Sequence, residues 1–218
     1  MRLGHSSPIL CAAFSPTGSK LATGSGDCTA RLWDLDTETP SHTLQGHKGW
    51  VLCVEWEGRE RRLATGGHDG HVRLWDPKTG SAIGEALRGH TKWVMSLAWE
   101  PIHINAVSPR LASSSKDGTV KVWDTTSRKL EYTLGGHTAS VNVVKWGGGG
   151  IGGKGVLYTA SSDRTARVWD ANGVSTVAAP PLSLINNLIY SSCGFFAGQT
   201  FTRAQGPCTL GDNARIKH

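Results

Sequence analysis

GHKGWVLCVEWEGRERRLATGGHDGHVRLWD, residues 46–76, is one complete unit of a repeat. Gly46 and His47 open it, Trp75 and Asp76 close it, and Asp69 stands six residues before the tryptophan. The same signposts recur at Gly4, His5, Asp27, Trp33 and Asp34, at Gly89, His90, Asp117, Trp123 and Asp124, and at Gly136, His137, Asp163, Trp169 and Asp170. A period of 42 to 48 residues marks a supersecondary unit that buries its apolar faces only by stacking on its neighbours. Function is therefore to be sought on the surface of a scaffold.

Within the unit, WVLCVEW at 50–56 places large apolar residues on both faces of one strand, and Arg62–Gly66 and His71–Trp75 supply two more after tight Gly and Asp turns. A fourth strand is expected after each Trp-Asp pair, with turns at Asp27, Asp69, Asp117 and Asp163. An unpartnered polar group in so apolar a pattern costs roughly 1–3 kcal/mol. Four residues before each turn aspartate stands a hydroxyl, and indole, hydroxyl, imidazole and carboxylate can satisfy one another. The sets are Trp33, Thr23, His5 and Asp27; Trp75, Thr65, His47 and Asp69; Trp123, Ser113, His90 and Asp117; and Trp169, Thr159, His137 and Asp163.

At this point the chain resembles the WD-repeat β-propellers, whose blades carry that same tetrad. The expected fold is all-β: four four-stranded blades at about 4–45, 46–88, 89–135 and 136–170, forming an incomplete ring, with an irregular tail over 171–218 expected to be divergent or disordered. His-to-Asp spacing is 22 residues in the first two units but 27 and 26 in the last two. The surplus falls in IHINAVSPR and GGGGIGGKG, read as enlarged loops between a blade's first and second strands.

Other chemistries are poorly supported. Ser or Thr, His and Asp recur together, but all four sets sit in strand pattern and no G-x-S-x-G elbow is present. Gly148, Gly153 and Lys154 imitate a phosphate loop, yet Gly155 replaces the magnesium-binding hydroxyl and a strand follows where a helix is needed. His68 and His71 lack further ligands at zinc spacing, so no metal and no cofactor is expected. Cys11, Cys28, Cys53, Cys193 and Cys208 form no C-x-x-C and read as reduced thiols. No apolar run reaches the roughly 18 residues of a membrane span, and no secretory signal precedes the first repeat. The net charge of +6 is moderately basic and compatible with an RNA-rich setting.

Blade-specific stretches narrow the resemblance. GHKGWVLC at 46–53, GHTKWVMSLAWEP at 89–101, SKDG at 115–118 and GHTASVNVVKWGG at 136–148 closely resemble the Notchless family of large-subunit ribosome assembly factors. The resemblance implies a noncatalytic role in the nucleus and nucleolus on pre-60S particles, with ribosomal proteins or rRNA as partners. It implies a link to the AAA ATPase midasin through a ubiquitin-like N-terminal domain; here the chain opens on a blade, so that link requires the domain from elsewhere. It also implies eight blades, whereas four tetrads are present, so open blade faces are expected to favour self-association. The alternative is a general WD-repeat adaptor in the cytoplasm, serving signalling or ubiquitin-ligase substrate recruitment.

Partner contacts are expected where strand entries meet the turns. Blades 2 and 3 stand out there, with Trp50, Leu52 and His68 beside Trp93, Met95 and Lys116, and with Lys48 and Lys92 near in sequence. Indoles among cations suit an acidic or mixed peptide, or stacked RNA bases. The competing reading is that each indole caps the core of its blade.

Overall fold

The computed structural model describes residues 4–147, 155–170 and 175–176, and among these there is no helix. Blade 1 consists of β1 (Ile9–Phe14), β2 (Lys20–Ser25), β3 (Thr29–Asp34) and β4 (Thr39–Gln45), paired antiparallel in that order. Blade 2 contains β5 (Val51–Trp56), β6 (Leu63–Gly67) and β7 (Val72–Trp75). Blade 3 comprises β8 (Val94–Trp99), β9 (Leu111–Ser115), β10 (Val120–Asp124) and β11 (Lys129–Leu134). Blade 4 comprises β12 (Val141–Gly147), β13 (Val156–Ser161), β14 (Ala166–Asp170) and the short β15 (Ser175–Thr176).

Blade 2 departs from expectation, because its fourth strand is reduced to two isolated bridges, Trp75 with Ala82 and Val72 with Leu87. Gly84, at φ 71, lies between them and turns the chain out of the extended conformation a continuous ladder needs. The long 102–110 segment does join the first and second strands of blade 3. Most of the glycine tract, 148–154, lies outside the described residues, as do 171–174 and 177–218 of the expected irregular tail.

Blades stack in sequence through three apolar clusters. Ala22, Ala30, Leu32 and Leu44 of blade 1 meet Val51, Val54, Trp56, Leu63 and Trp75 of blade 2. Blade 2 in turn offers Cys53, Ala64, Val72, Leu74 and Leu87 to Val94, Leu97, Trp99, Leu111 and Trp123 of blade 3. Blade 3 meets Val141, Val144, Leu157 and Trp169 of blade 4 in the same way. Blades 2, 3 and 4 thus each turn their tetrad tryptophan toward the blade before. Two seams are also latched by hydrogen bonds: Trp56 Nε1 donates to the Ala13 carbonyl at 2.9 Å and Trp99 Nε1 to the Glu55 carbonyl at 3.1 Å.

The innermost strands β1, β5, β8 and β12 each carry a register shift against their neighbour, skipping Leu10, Leu52, Met95 and Asn142. Such a bulge bends the strand and re-aims the extra side chain. Cys11, Cys53, Met95 and Asn142, one from each of these strands, line a common cavity on the inner side of the row.

Candidate functional site

Each tetrad is assembled from four places: the loop before the inner strand supplies His, the second strand the hydroxyl, the tight turn Asp and the third strand Trp. Trp Nε1 lies 2.8, 2.8, 2.8 and 2.9 Å from Thr23, Thr65, Ser113 and Thr159 in blades 1 to 4. In every blade the hydroxyl is 2.8 Å from His Nε2. His Nδ1 then lies 2.9, 3.0, 2.9 and 2.7 Å from Asp27, Asp69, Asp117 and Asp163.

The direction of these bonds follows from what each group can do. Indole can only donate, so the hydroxyl oxygen accepts from it; carboxylate can only accept, so Nδ1 carries the imidazole proton. The hydroxyl hydrogen is left for Nε2. Every polar side-chain group of the tetrad is thereby satisfied.

The aspartates hold more than the histidine. The backbone N–H of Ser6, Lys48, Thr91 and Thr138 donates to the corresponding carboxylate at 3.0, 2.9, 3.1 and 3.1 Å. In blades 1, 3 and 4 a hydroxyl two residues on, from Thr29, Thr119 or Thr165, adds a 2.6 Å bond. Burial raises each of these carboxyls, but the bonds from imidazole and backbone, joined by the hydroxyl in blades 1, 3 and 4, outweigh it and hold all four well below the usual aspartate range. These supporting threonines were missed from sequence, although D-C-T, D-G-T and D-R-T spell them out at 27–29, 117–119 and 163–165.

Chemically the tetrads are braces. Thr65, Ser113 and Thr159 are fully buried and each hydroxyl is engaged on two sides, which places it out of reach of a substrate. Among the described residues no group of three or more His, Cys, Asp or Glu is gathered as a metal would require. Burial pushes the Cys11 thiol up to about 12 and Cys53 well above its ordinary value, so neither is a ready nucleophile.

A second constellation lies on blades 2 and 3, where the entries to the inner strands β5 and β8 meet the turns after β6 and β9. The His68 imidazole sits between two indoles, with ring centroids 6.0 Å from Trp50 and 4.2 Å from Trp93. Lys116 then places Nζ 3.9 Å from the Trp93 centroid. Backbone bonds set the spacing: His68 N–H donates to the Trp50 carbonyl at 2.8 Å and Lys116 N–H to the Trp93 carbonyl at 2.9 Å. The result is a ladder, Trp50, His68, Trp93, Lys116, that crosses the blade boundary.

Trp50 is 53% exposed, and neither it nor Trp93 belongs to an apolar cluster between blades. Lys48, Lys92 and Lys116 are exposed around the ladder. Leu52 and Met95 are half-buried at the bulges of β5 and β8, and Met95 faces the inner cavity, so these two stand apart from the ladder.

Comparison with known families fits this geometry. The model of the WD domain, G-beta repeat, matches residues 1–34, 38–76, 81–124 and 128–170. The chain belongs to the WD-repeat family. Among curated relatives this WD-repeat chain is 54% identical to Protein Notchless of Drosophila melanogaster over 168 residues, 77% of the chain and 33% of the relative. It is 59% identical to Ribosome assembly protein 4 of Saccharomyces cerevisiae over 145 residues, 65% of the chain and 28% of the relative. The chain thus spans about a third of the length of these relatives. Among solved structures, one titled "Crystal structure of RRP9 WD40 repeats" superposes with a TM-score of 0.69 at 24% identity, covering 79% of this chain and 51% of that one, which speaks to the fold alone.

Proposed function

We propose that this WD-repeat chain is a noncatalytic interaction platform in assembly of the large ribosomal subunit. The observation that carries the reading is the identity of 51–59% to proteins named Notchless and Ribosome assembly protein 4. The site we assign is the rim of blades 2 and 3, with the ladder Trp50, His68, Trp93 and Lys116 as its centre and Leu52 and Met95 at its inner edge. An exposed indole backed by an ordered stack loses little freedom on binding, which suits it to anchor a partner. The partners are components of the pre-60S particle, and the place is the nucleus and nucleolus. Engagement of midasin is conditional on a ubiquitin-like domain acting together with these blades.

Affinity purification of the tagged chain from nuclear extract tests the reading. Recovery of large-subunit precursor RNA and proteins is expected, reduced by Trp50→Ala with the fold intact. Recovery of ubiquitin-ligase or signalling components without ribosomal precursors would replace it with the general adaptor.

A further inference from the structure

Four matched pairs form a row across the face where the inner strands begin, each tied in the same way. The residue before the turn aspartate donates its N–H to the carbonyl of the residue three after the tetrad histidine: Gly26 to Pro8 at 3.0 Å, His68 to Trp50 at 2.8 Å, Lys116 to Trp93 at 2.9 Å and Ser162 to Ser140 at 2.8 Å. Trp93 therefore has two neighbours, His68 of the blade before it with ring centroids 4.2 Å apart, and Lys116 of its own blade with Nζ 3.9 Å from its centroid. Among the described residues Trp50 has one ring neighbour, His68 of its own blade at 6.0 Å, because the blade before it supplies Gly26.

The space that glycine leaves is a slot of side-chain size. A Cβ on Gly26 would lie 3.9 Å from Trp50 Cδ1 and 3.5 Å from Ser7 Cβ, both ordinary contacts. Trp50 is 53% exposed, while Trp93 is half-buried. A flat group entering from outside thus meets the Trp50 indole as His68 meets that of Trp93. The accessible charge beside the row is positive: Lys48, Lys92 and Lys116 are exposed, whereas the side chains of the turn aspartates are 5–8% exposed and already engaged.

We propose that the slot receives a base of single-stranded RNA stacked on Trp50, with the flanking phosphates on the lysines. The inference rests on the reading of this row as the partner site and names the partner's chemistry. An arginine guanidinium, the flat cation a protein partner could insert, is repelled by three ammonium groups. An aromatic side chain stacks too, but leaves those cations unanswered unless acids flank it, whereas every nucleotide brings ring and charge together. Stacking needs only a π-face, so binding tolerates sequence.

Fluorescence anisotropy of a labelled uridine oligonucleotide roughly eight nucleotides long, titrated with the full chain, tests the proposal. Binding is expected, weakening with salt at a logarithmic slope of about −2 if the three lysines each neutralise a phosphate. Trp50→Ala should weaken it about tenfold. Gly26→His, which gives blade 1 the side chain blade 2 already carries and removes neither indole nor lysine, should weaken it as much by filling the slot. Wild-type affinity in Gly26→His, no binding by the wild-type chain, or tighter binding of an acidic tyrosine-containing peptide of equal length would each overturn the proposal. If Gly26→His unfolds, Trp50→Phe decides: it should keep most of the binding that Trp50→Ala loses, and equal loss refutes stacking. Should the oligonucleotide fail while the tagged chain still recovers ribosomal precursors, the assembly role stands and the RNA contact falls; failure of both removes the site reading as well.

Discussion

Trp99 gives its indole N–H to the carbonyl of Glu55, 3.1 Å away and one blade earlier. The bond ties side chain to backbone across a seam whose core is apolar. Trp99→Phe should therefore lower stability by about 1–2 kcal/mol, read as a reduced denaturant midpoint at unchanged slope. An unaltered midpoint would show that the bond contributes nothing.

Thr65 serves two buried partners, Trp75 and His47, through one oxygen. Thr65→Val keeps the shape but strands both, and should cost about 2–4 kcal/mol. Thr65→Ser should cost less than about 1 kcal/mol, because Ser113 performs the same task in blade 3 at the same 2.8 Å distances. Equal losses from the two variants in urea unfolding would contradict the hydrogen-bonded account.

Acid should unfold the blades through their turn aspartates. Folded carboxyls held below their unfolded value add stability that is complete above about pH 5 and is lost as pH falls toward the depressed folded value. Stability should thus be flat from about pH 7 to 5 in this respect and then decline. Asp117→Asn should flatten the decline, while also lowering stability at neutral pH. An acid slope identical to wild type would remove Asp117 from the explanation.

Cys28 and Arg164 follow turn aspartates with φ of 66 and 67, where blades 2 and 3 have Gly70 and Gly118 at 74 and 85. The left-handed conformation is costly for a side chain with a Cβ. Cys28→Gly and Arg164→Gly should each stabilise the chain by about 0.5–1 kcal/mol, measurable as a higher thermal midpoint.

The rim ladder separates binding from folding. Trp50→Ala should change stability by no more than about 0.5 kcal/mol, since the ring is 53% exposed. It should nevertheless weaken capture of a pre-60S partner about tenfold or more. Loss of the far-UV β signal together with binding would mean that Trp50 is structural. Lys116→Glu, which reverses the charge over the Trp93 ring, should weaken capture without unfolding.

How much was legible beforehand depended on whether a feature resides in residue identity. His47, Thr65, Asp69 and Trp75 are chemically distinctive and stand at fixed offsets, so the tetrad and the blade count followed from spacing alone. The seam latches were invisible, because the acceptors are the carbonyls of Ala13 and Glu55 and any residue carries a carbonyl. The shortened edge of blade 2 turned on a positive φ at Gly84, which a glycine permits but does not announce. On the rim, proximity of Trp50, His68, Trp93 and Lys116 was anticipated, but their stacking order was not, and Leu52 and Met95 were drawn aside by inner-strand bulges that no residue type marks.

The reach of these bonds along the chain differs in a way that matters during synthesis. Tetrad bonds span at most 27 residues, while the latches span 43 and 44. A blade's own braces can thus form as soon as its Trp-Asp pair has left the exit tunnel, whereas attachment to the next must wait until the tryptophan of the following inner strand emerges, a few seconds at about 5–20 residues per second. Each finished blade is then a template waiting for its successor, and misordered pairing between distant repeats is avoided by timing as well as by shape.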